Sequence, residues 1–416
     1  MPRRVCILTG NSLSHNPRVV KEASALSEAG YEVEILGAWL DPTSKARDLT
    51  LLADARFSFT PVLDVTTQLF EWWCSRLQVK SARILNQTAA LESRWQLGYS
   101  VCALLQAARC RIADLFIAHS EPGLWAVSQL TKQRSRRSGR TFQVGVDMED
   151  WFSEDLLPEA RKRRPIQMLI GLEKDALCSS VHSTCTSVAM STALTNHYGC
   201  EPPKVIYNAF PWSDREELDG QFIDRENLKV PTIHWYSQTL GPGRGLEELV
   251  AALPHVQGPV EVHLRGQSAE GFGDWLRSKL PEDWQSRVFI HGLVSNSELL
   301  SRIAEHDIGF AGELDYCRSR NLTVTNKILH YLLAGLAVVA SDTAGQREIA
   351  RQAGDAVRLY RSNDPRALAR ELNTLLTSPT ELKSAKSAAL AAAEQTFCWE
   401  RQVPKLLHSV ENALTQ

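Results

Sequence analysis

Three stretches decide the fold class: Val5-Cys6-Ile7-Leu8-Thr9, then Asn16-Pro17-Arg18-Val19-Val20-Lys21-Glu22-Ala23, then Tyr31 to Gly37. The first is a β-branched, apolar run of strand length. Asn16 offers a capping side chain, and Pro17 brings a pre-set φ to the first helical position. Val19, Val20, Ala23 and Leu26 fall at i, i+1, i+4 and i+7, one apolar helix face, and Gly30 stands where a left-handed residue closes a helix. Tyr31 to Gly37 is the next strand. Strand, helix and strand joined by short connections make a right-handed crossover between parallel strands, so the class is α/β.

Downstream, residues from about 66 to 112 read as one long helical stretch, rich in Leu, Ala and Arg, without a proline, and holding Trp72, Trp73 and Trp95. Leu115 to Ala118, Phe142 to Val146 and Val205 to Tyr207 are further strands, separated by helical patterns. Asn208 to Leu228, with Pro211 and several carboxylates but little apolar periodicity, is the linker expected between domains. A second series follows, with strands at Ile233 to Ser237, Val260 to Leu264, Val288 to Ile290, Ile308 to Ala311 and Ala337 to Ala340. The expectation is an N-terminal domain over 1–208, a C-terminal domain over 209–396, and a last amphipathic helix over 397–416 that buries Phe397, Trp399, Leu406, Leu407 and Val410.

Composition narrows the function. The 416 residues suit two or three domains, and 46 basic against 48 acidic side chains give a net charge of −2. No global field is left to hold a polyanion, so nucleic acid is not an expected partner. No apolar run reaches the roughly 18 residues of a spanning helix. The start of the chain lacks a signal-peptide core, and the nine scattered cysteines form no C-x-x-C pair, which reads as reduced thiols, mostly in core positions, of a cytoplasmic protein.

In parallel sheets ligands sit beyond the carboxyl ends of the strands. The strongest strand-to-helix loop is Ser237-Gln238-Thr239-Leu240-Gly241-Pro242-Gly243-Arg244-Gly245. Its glycines permit close backbone approach, and a helix N-terminus with Arg244 beside it suits a diphosphate. A plain Gly-Pro turn with a surface arginine fits the loop equally well. The spacing matches neither a Walker loop nor G-x-G-x-x-G, which disfavours a P-loop ATPase or a dinucleotide dehydrogenase.

The second constellation is Thr325-Asn326-Lys327, a helix, Ala334-Gly335, a strand and Ser341-Asp342. It resembles the donor-binding segment of retaining glycosyltransferases of family four. Asn16 to Ala23, Ser187 to Tyr198 before Val205-Ile206-Tyr207-Asn208, and Arg347-Glu348-Ile349 agree in order, so the resemblance spans nearly the whole chain except about 50–110. It implies the glycosyltransferase B fold, two Rossmann-like domains facing a cleft. It also implies a nucleotide-diphosphate sugar as donor substrate on the C-terminal domain, transfer with retention, and no metal or other cofactor. On the donor side it points to Gly243 and Arg244 at the diphosphate, Thr325, Asn326 and Lys327 at the helix start, and Gln238 where relatives carry a second basic residue. The family's two glutamates correspond to Leu322 and His330, where the imidazole retains one hydrogen-bond acceptor for the ribose. Arg318 and Arg320 are candidates to restore the missing positive charge toward phosphate or an acidic sugar.

In the N-terminal domain Ala118-His119-Ser120-Glu121-Pro122 resembles the family's acceptor-side loop, so His119 is expected to face the cleft and touch the transferred sugar or acceptor hydroxyl. Asp147-Met148-Glu149-Asp150, the only tight acidic cluster near a strand end, would hold a cation in another fold or form a solvated loop; by the resemblance it matches a segment in which Glu149 replaces a histidine and Asp150 contacts the acceptor. Two basic runs remain: Lys132, Arg134, Arg136, Arg137 and Arg140, and Arg161-Lys162-Arg163-Arg164. With the tryptophans of 66–112 they point to peripheral contact with an anionic membrane surface; a solvated face is the plainer alternative. The expected activity is hexosyl transfer from a nucleotide sugar to a saccharide or lipid-linked acceptor in polysaccharide or glycolipid assembly. A non-catalytic relative that binds a sugar nucleotide or a partner transferase, and a nucleotide-sugar epimerase, are the alternatives.

Overall fold

Asn16 caps the first helix, Pro17–Glu28, by accepting the amide proton of Val19 on its side chain, and Gly30 follows with φ of 91°. That helix joins β1 (Arg4–Leu8) to β2 (Glu32–Trp39), which pair in parallel from Arg4 opposite Glu32 to Leu8 opposite Leu36. The computed structural model describes residues 2–134 and 142–415 and divides into two compact units. The first unit comprises the chain up to Thr186, Met190–Ile206 and the chain from Val403 on; Ser187–Ala189 and Tyr207–Gln402 form the second.

The first unit's sheet adds β3 (Ser58–Asp64), β4 (Leu115–Ala118), β5 (Gln143–Met148), β6 (His182–Cys185) and β7 (Lys204–Val205), in the order β3-β2-β1-β4-β5-β6-β7. Every pairing is parallel. The order reverses between β1 and β4, the switch point at which such sheets place ligands. β3 and β6 are absent from the sequence reading for physical reasons. β3 carries Pro61, which only an edge strand tolerates. β6 is His182-Ser183-Thr184-Cys185, polar in composition, and its buried His182 satisfies Nδ1 on Ser409 Oγ at 2.9 Å from the last helix, Trp399–Thr415.

The single helix expected over 66–112 is broken into Leu69–Ala89, a 3₁₀ turn at Arg94–Leu97 and Val101–Arg109. Ala90 turns left-handed, at φ of 52°. Glu92 then leaves the helical path to accept the amide protons of Gln167 and Met168 at the start of the Ile166–Ser179 helix. The cysteines also depart from expectation: all nine are free thiols, but only Cys6, Cys185, Cys200 and Cys398 are buried.

The second unit carries β8 (Thr232–Leu240), β9 (Glu261–Ser268), β10 (Val288–His291), β11 (Ile308–Ala311), β12 (Ala337–Ser341) and β13 (Val357–Tyr360), ordered β10-β9-β8-β11-β12-β13 and parallel throughout. Its core is built on Ile233, Trp235, Leu264, Phe310 and Val339. Here the switch point lies between β8 and β11. Gly309 lets the helix Asn326–Ala334 lie close on the sheet: a Cβ there would stand 2.2 Å from the Tyr331 ring, whose hydroxyl donates to the His234 carbonyl at 3.0 Å. Gly335, at φ of 79°, closes that helix before β12. Among the described residues no helix is long and apolar enough to cross a membrane.

Candidate functional site

β8 slips register between Tyr236 and Thr239, so Ser237 and Gln238 bulge out just before the glycine loop. The loop closes on Gly245, left-handed at φ of 81°, where an added Cβ would come within 2.6 Å of the Gly312 carbonyl beyond β11. Only glycine allows the two strand ends to meet there. Arg244 is exposed and donates from Nη1 to Ser237 Oγ at 3.1 Å, which holds it along the bulge. Gln238 and Gly243 are exposed beside it, and the Gly243 amide donates to Glu247 Oε1 at 2.8 Å.

Beyond β11, Glu313 is fixed by Ser341 Oγ, which takes its amide proton at 2.8 Å. Gln346 Nε2 anchors that same hydroxyl at 2.8 Å. Glu313 Oε1 then meets Lys327 Nζ at 2.7 Å, and the ammonium lies 5.5 Å from the centre of the Trp235 ring. Thr325 caps the helix Asn326–Ala334 by position, without a side-chain cap bond, and Asn326 Oδ1 accepts from Asn208 Nδ2 at 3.0 Å. One turn on, His330 shares a 2.8 Å hydrogen bond with the Tyr236 hydroxyl and stacks on Phe210, ring centres 3.5 Å apart and planes within 5°. Arg318 is exposed at the start of Arg318–Leu322. The fold thus gathers Arg244, Thr325, Asn326, Lys327 and His330 around the switch end of one sheet. Glu313, Trp235, Tyr236 and Phe210 went unread in the sequence; the signal available for Glu313 was its place two residues past a strand end.

The first unit places a different chemistry at its switch point. Arg18 and Glu22, one turn apart on the first helix, are both buried. Arg18 reaches Asp147 Oδ2 through Nε at 2.9 Å and Nη2 at 2.7 Å, and gives Nη1 to the Ile206 carbonyl at 2.8 Å. His119, expected to face the cleft, follows β4 and has a fully buried ring. Nε2 stands 2.6 Å from Glu22 Oε2 and Nδ1 2.6 Å from Glu149 Oε1. Burial alone would strip its proton, but Glu22, joined by Glu149, outweighs burial and pushes the imidazole up to about 10. It is an imidazolium donating at both nitrogens. Burial likewise works against an ionised Asp147, and the Arg18 charge overrides it and holds the carboxyl low.

Ligand atoms of Glu22, His119 and Asp147 lie within 4.8 Å of one another, a spacing a cation can fill. Arg18 and His119 already supply positive charge to these carboxylates. Glu149 also accepts from Asn16 Nδ2 at 2.7 Å, so the segment leading to half-buried Asp150 is held through His119. Ser120, next in the chain, is left-handed at φ of 65°, strain a non-glycine residue keeps only where its surroundings demand it. Its Oγ accepts the Gly10 amide proton at 2.9 Å, tying β4 to β1 across the switch point.

These two parallel-sheet α/β units define the glycosyltransferase B fold class. Residues 231–378 match the family model described as glycosyl transferases group 1. Among solved structures, Anabaena HepE in complex with UDP and glucose is similar over 98% of this chain and 99% of its own, at 17% identity and a TM-score of 0.69. A UDP-forming trehalose-phosphate synthase from Burkholderia xenovorans covers all of both chains at 13% identity and a TM-score of 0.69. WaaG, a glycosyltransferase of lipopolysaccharide biosynthesis, covers 97% of this chain and 98% of its own at 12% and 0.62. At these identities the likeness is one of fold. No curated protein matches the chain.

Proposed function

We propose that the protein is a retaining glycosyltransferase that moves a sugar from a nucleotide-diphosphate sugar to a hydroxyl of a saccharide or lipid-linked acceptor. The observation that carries this reading is the switch point of the second sheet. There the glycine-closed loop with Arg244 and the helix start at Thr325-Asn326-Lys327 converge, inside the segment 231–378 that the group 1 model matches. When a nucleoside diphosphate departs, negative charge grows on the leaving phosphate oxygen and is stabilised by donors already in place. Arg244, held by Ser237, offers a planar fork to that phosphate, with Gly243, Asn326 and Lys327 around it and Arg318 and Gln238 at the rim. His330, oriented by Tyr236 and Phe210, takes the ribose side. In the first unit Asp150 contacts the acceptor, while His119 acts as a positioning residue that fixes Glu149.

Two contacts favour a second reading, a protein that binds a sugar nucleotide or a partner transferase without transfer. Glu247 occupies the Gly243 amide and Glu313 holds Lys327, which puts carboxylates next to the proposed diphosphate seat. Ligand-observed NMR with a panel of nucleotide sugars, followed by turnover assays with saccharide and lipid-linked acceptors, separates the two. Transfer requires a donor that binds and is consumed only with an acceptor; binding without consumption supports the second reading. Arg244→Ala is expected to weaken donor binding about tenfold, the worth of one charge-assisted hydrogen bond. Unchanged affinity would place the diphosphate elsewhere.

A further inference from the structure

The Leu69–Ala89 helix touches the first unit along a thin edge. Of its 21 residues only Val79 and Ala82 are buried. Phe70, Trp73 and Leu77 are 77%, 57% and 62% exposed, and Ile84 is 49% exposed. These four stand at i, i+3, i+7 and i+14, so they form one apolar stripe facing away from the buried edge. Arg76, Lys80 and Arg83 run along one flank of the stripe, and the helix's sole acidic residue, Glu71, lies off that flank. Among the described residues no carboxylate pairs with Arg76, Lys80 or Arg83. The Arg76 guanidinium lies 5.0 Å from the Trp73 ring centre. Between this flank and Tyr99 runs a groove of about 410 Å³, lined by Trp73, Arg76, Lys80, Arg83 and Ile84.

The two basic runs singled out in the sequence contribute less. Arg136, Arg137 and Arg140 and the Arg134 side chain lie outside the described residues, and Lys132 pairs with Asp175 at 3.3 Å. Asn86 donates to the Arg164 carbonyl and so brings the second run beside the helix. In that run Arg161, Lys162 and Arg164 pair with Glu154, Glu159 and Glu121.

We propose that the Leu69–Ala89 helix docks on an anionic lipid bilayer. It lies in the headgroup plane, with Phe70, Trp73, Leu77 and Ile84 toward the acyl chains and a lipid phosphate in the groove held by Arg76, Lys80 and Arg83. An apolar stripe alone would accept any apolar partner, and charge selects among them. A second copy of this chain packed on the stripe would set cations against cations, whereas an anionic surface draws each of them in. The inference is independent of whether the second unit transfers sugar.

The test is co-sedimentation of the full-length protein with vesicles of phosphatidylcholine alone and of phosphatidylcholine mixed with phosphatidylglycerol. Binding is expected only to the anionic vesicles and is lost at high salt. The triple variant Arg76→Gln, Lys80→Gln, Arg83→Gln should lower partitioning roughly a hundredfold, at about fivefold for each charge removed. Phe70→Ser with Trp73→Ser should also abolish stable binding, and an unchanged circular dichroism spectrum would show that both variants fold. No binding to anionic vesicles at low salt overturns the proposal, as does equal binding to neutral vesicles. Wild-type binding by the triple variant would move the surface elsewhere. Sedimentation velocity covers the competing occupant: a dimer that Phe70→Ser with Trp73→Ser dissociates makes the stripe a self-interface and retires the lipid.

Discussion

His119 in the first unit and the histidine cluster in the second are buried in opposite ways. In the first, His119 is sandwiched between Glu22 and Glu149 and carries a proton up to about 10. In the second, four histidines line the sheet in contact: His291 and His263 share a 3.0 Å hydrogen bond, His263 lies against His306, and His306 stacks on His234 at 4.5 Å. Burial pushes His263 down to about 4 and drives His306 and His234 well below the usual range, and each neighbouring imidazole adds to the effect. His119, His234, His263 and His306 are all buried, so the difference among them lies in the company. Buried carboxylates keep His119 a cation at neutral pH, whereas burial without such partners, reinforced by neighbouring imidazoles, leaves the clustered rings neutral.

The largest effect that would break this contrast belongs to the first unit. Arg18→Met leaves Asp147 buried without its cation, and removing one member of such a pair costs about 3–5 kcal/mol. Urea unfolding should show that loss, and a change below about 1 kcal/mol would mean the first unit does not depend on its charges. Acid should act next, and on the second unit. An unfolded histidine titrates near 6.5 while folded His263 resists protonation to about 4. The unfolded chain therefore binds the extra proton, and stability falls as pH drops from about 6.5 to about 4, by about 3 kcal/mol from this residue. His291 faces Asp224 at 3.2 Å, which partly offsets the effect there. His119 has the opposite sign: its contribution is complete below about 6.5 and fades as pH rises toward about 10. Hydrogen exchange at mildly acid and at alkaline pH should loosen the second and the first unit respectively. A second unit that keeps its full protection at mild acidity would refute the contrast.

How much of this was legible follows from what sequence patterns encode. β4 and β11 were read to the residue, because a short apolar run between helical patterns has few other readings. β13 was missed, and Val357-Arg358-Leu359-Tyr360 has no such run. On the donor side, glycines and a helix start mark their own place, so Arg244 and Thr325 to Lys327 were found. Glu313 and Phe210 were not, since their roles exist only once β11 and the chain after β7 are placed. His119 was recognised, but its burial depends on Glu22, 97 residues earlier, and on Glu149, 30 later. Arg18 and Glu22 one turn apart gave a faint signal, an oppositely charged pair at helical spacing on the helix that carries the apolar face Val19, Ala23 and Leu26. The exposed stripe of Leu69–Ala89 was hidden because a helix pattern shows that a face is apolar, not whether anything covers it.

The smallest effect is the most discriminating. Neither ring nitrogen of His234 has a hydrogen-bonding partner among the described residues, and the ring is fully buried against His306 and edge-on to Tyr331. A buried polar group in that state contributes its ring contacts and little else, so an apolar ring of similar shape should serve as well. His234→Phe is expected to leave stability at neutral pH within about 1 kcal/mol of wild type, on the stabilising side if the extra ring atoms fit. It should also shrink the acid sensitivity of the second unit, because one proton-refusing site and one neighbour that depresses His306 are gone. Both readouts come from the same unfolding curves at neutral and mildly acid pH. A loss of several kcal/mol at neutral pH would mean that His234 bears polar duties like those of His119, and the division between a charge-built unit and a neutral-ring unit would fall.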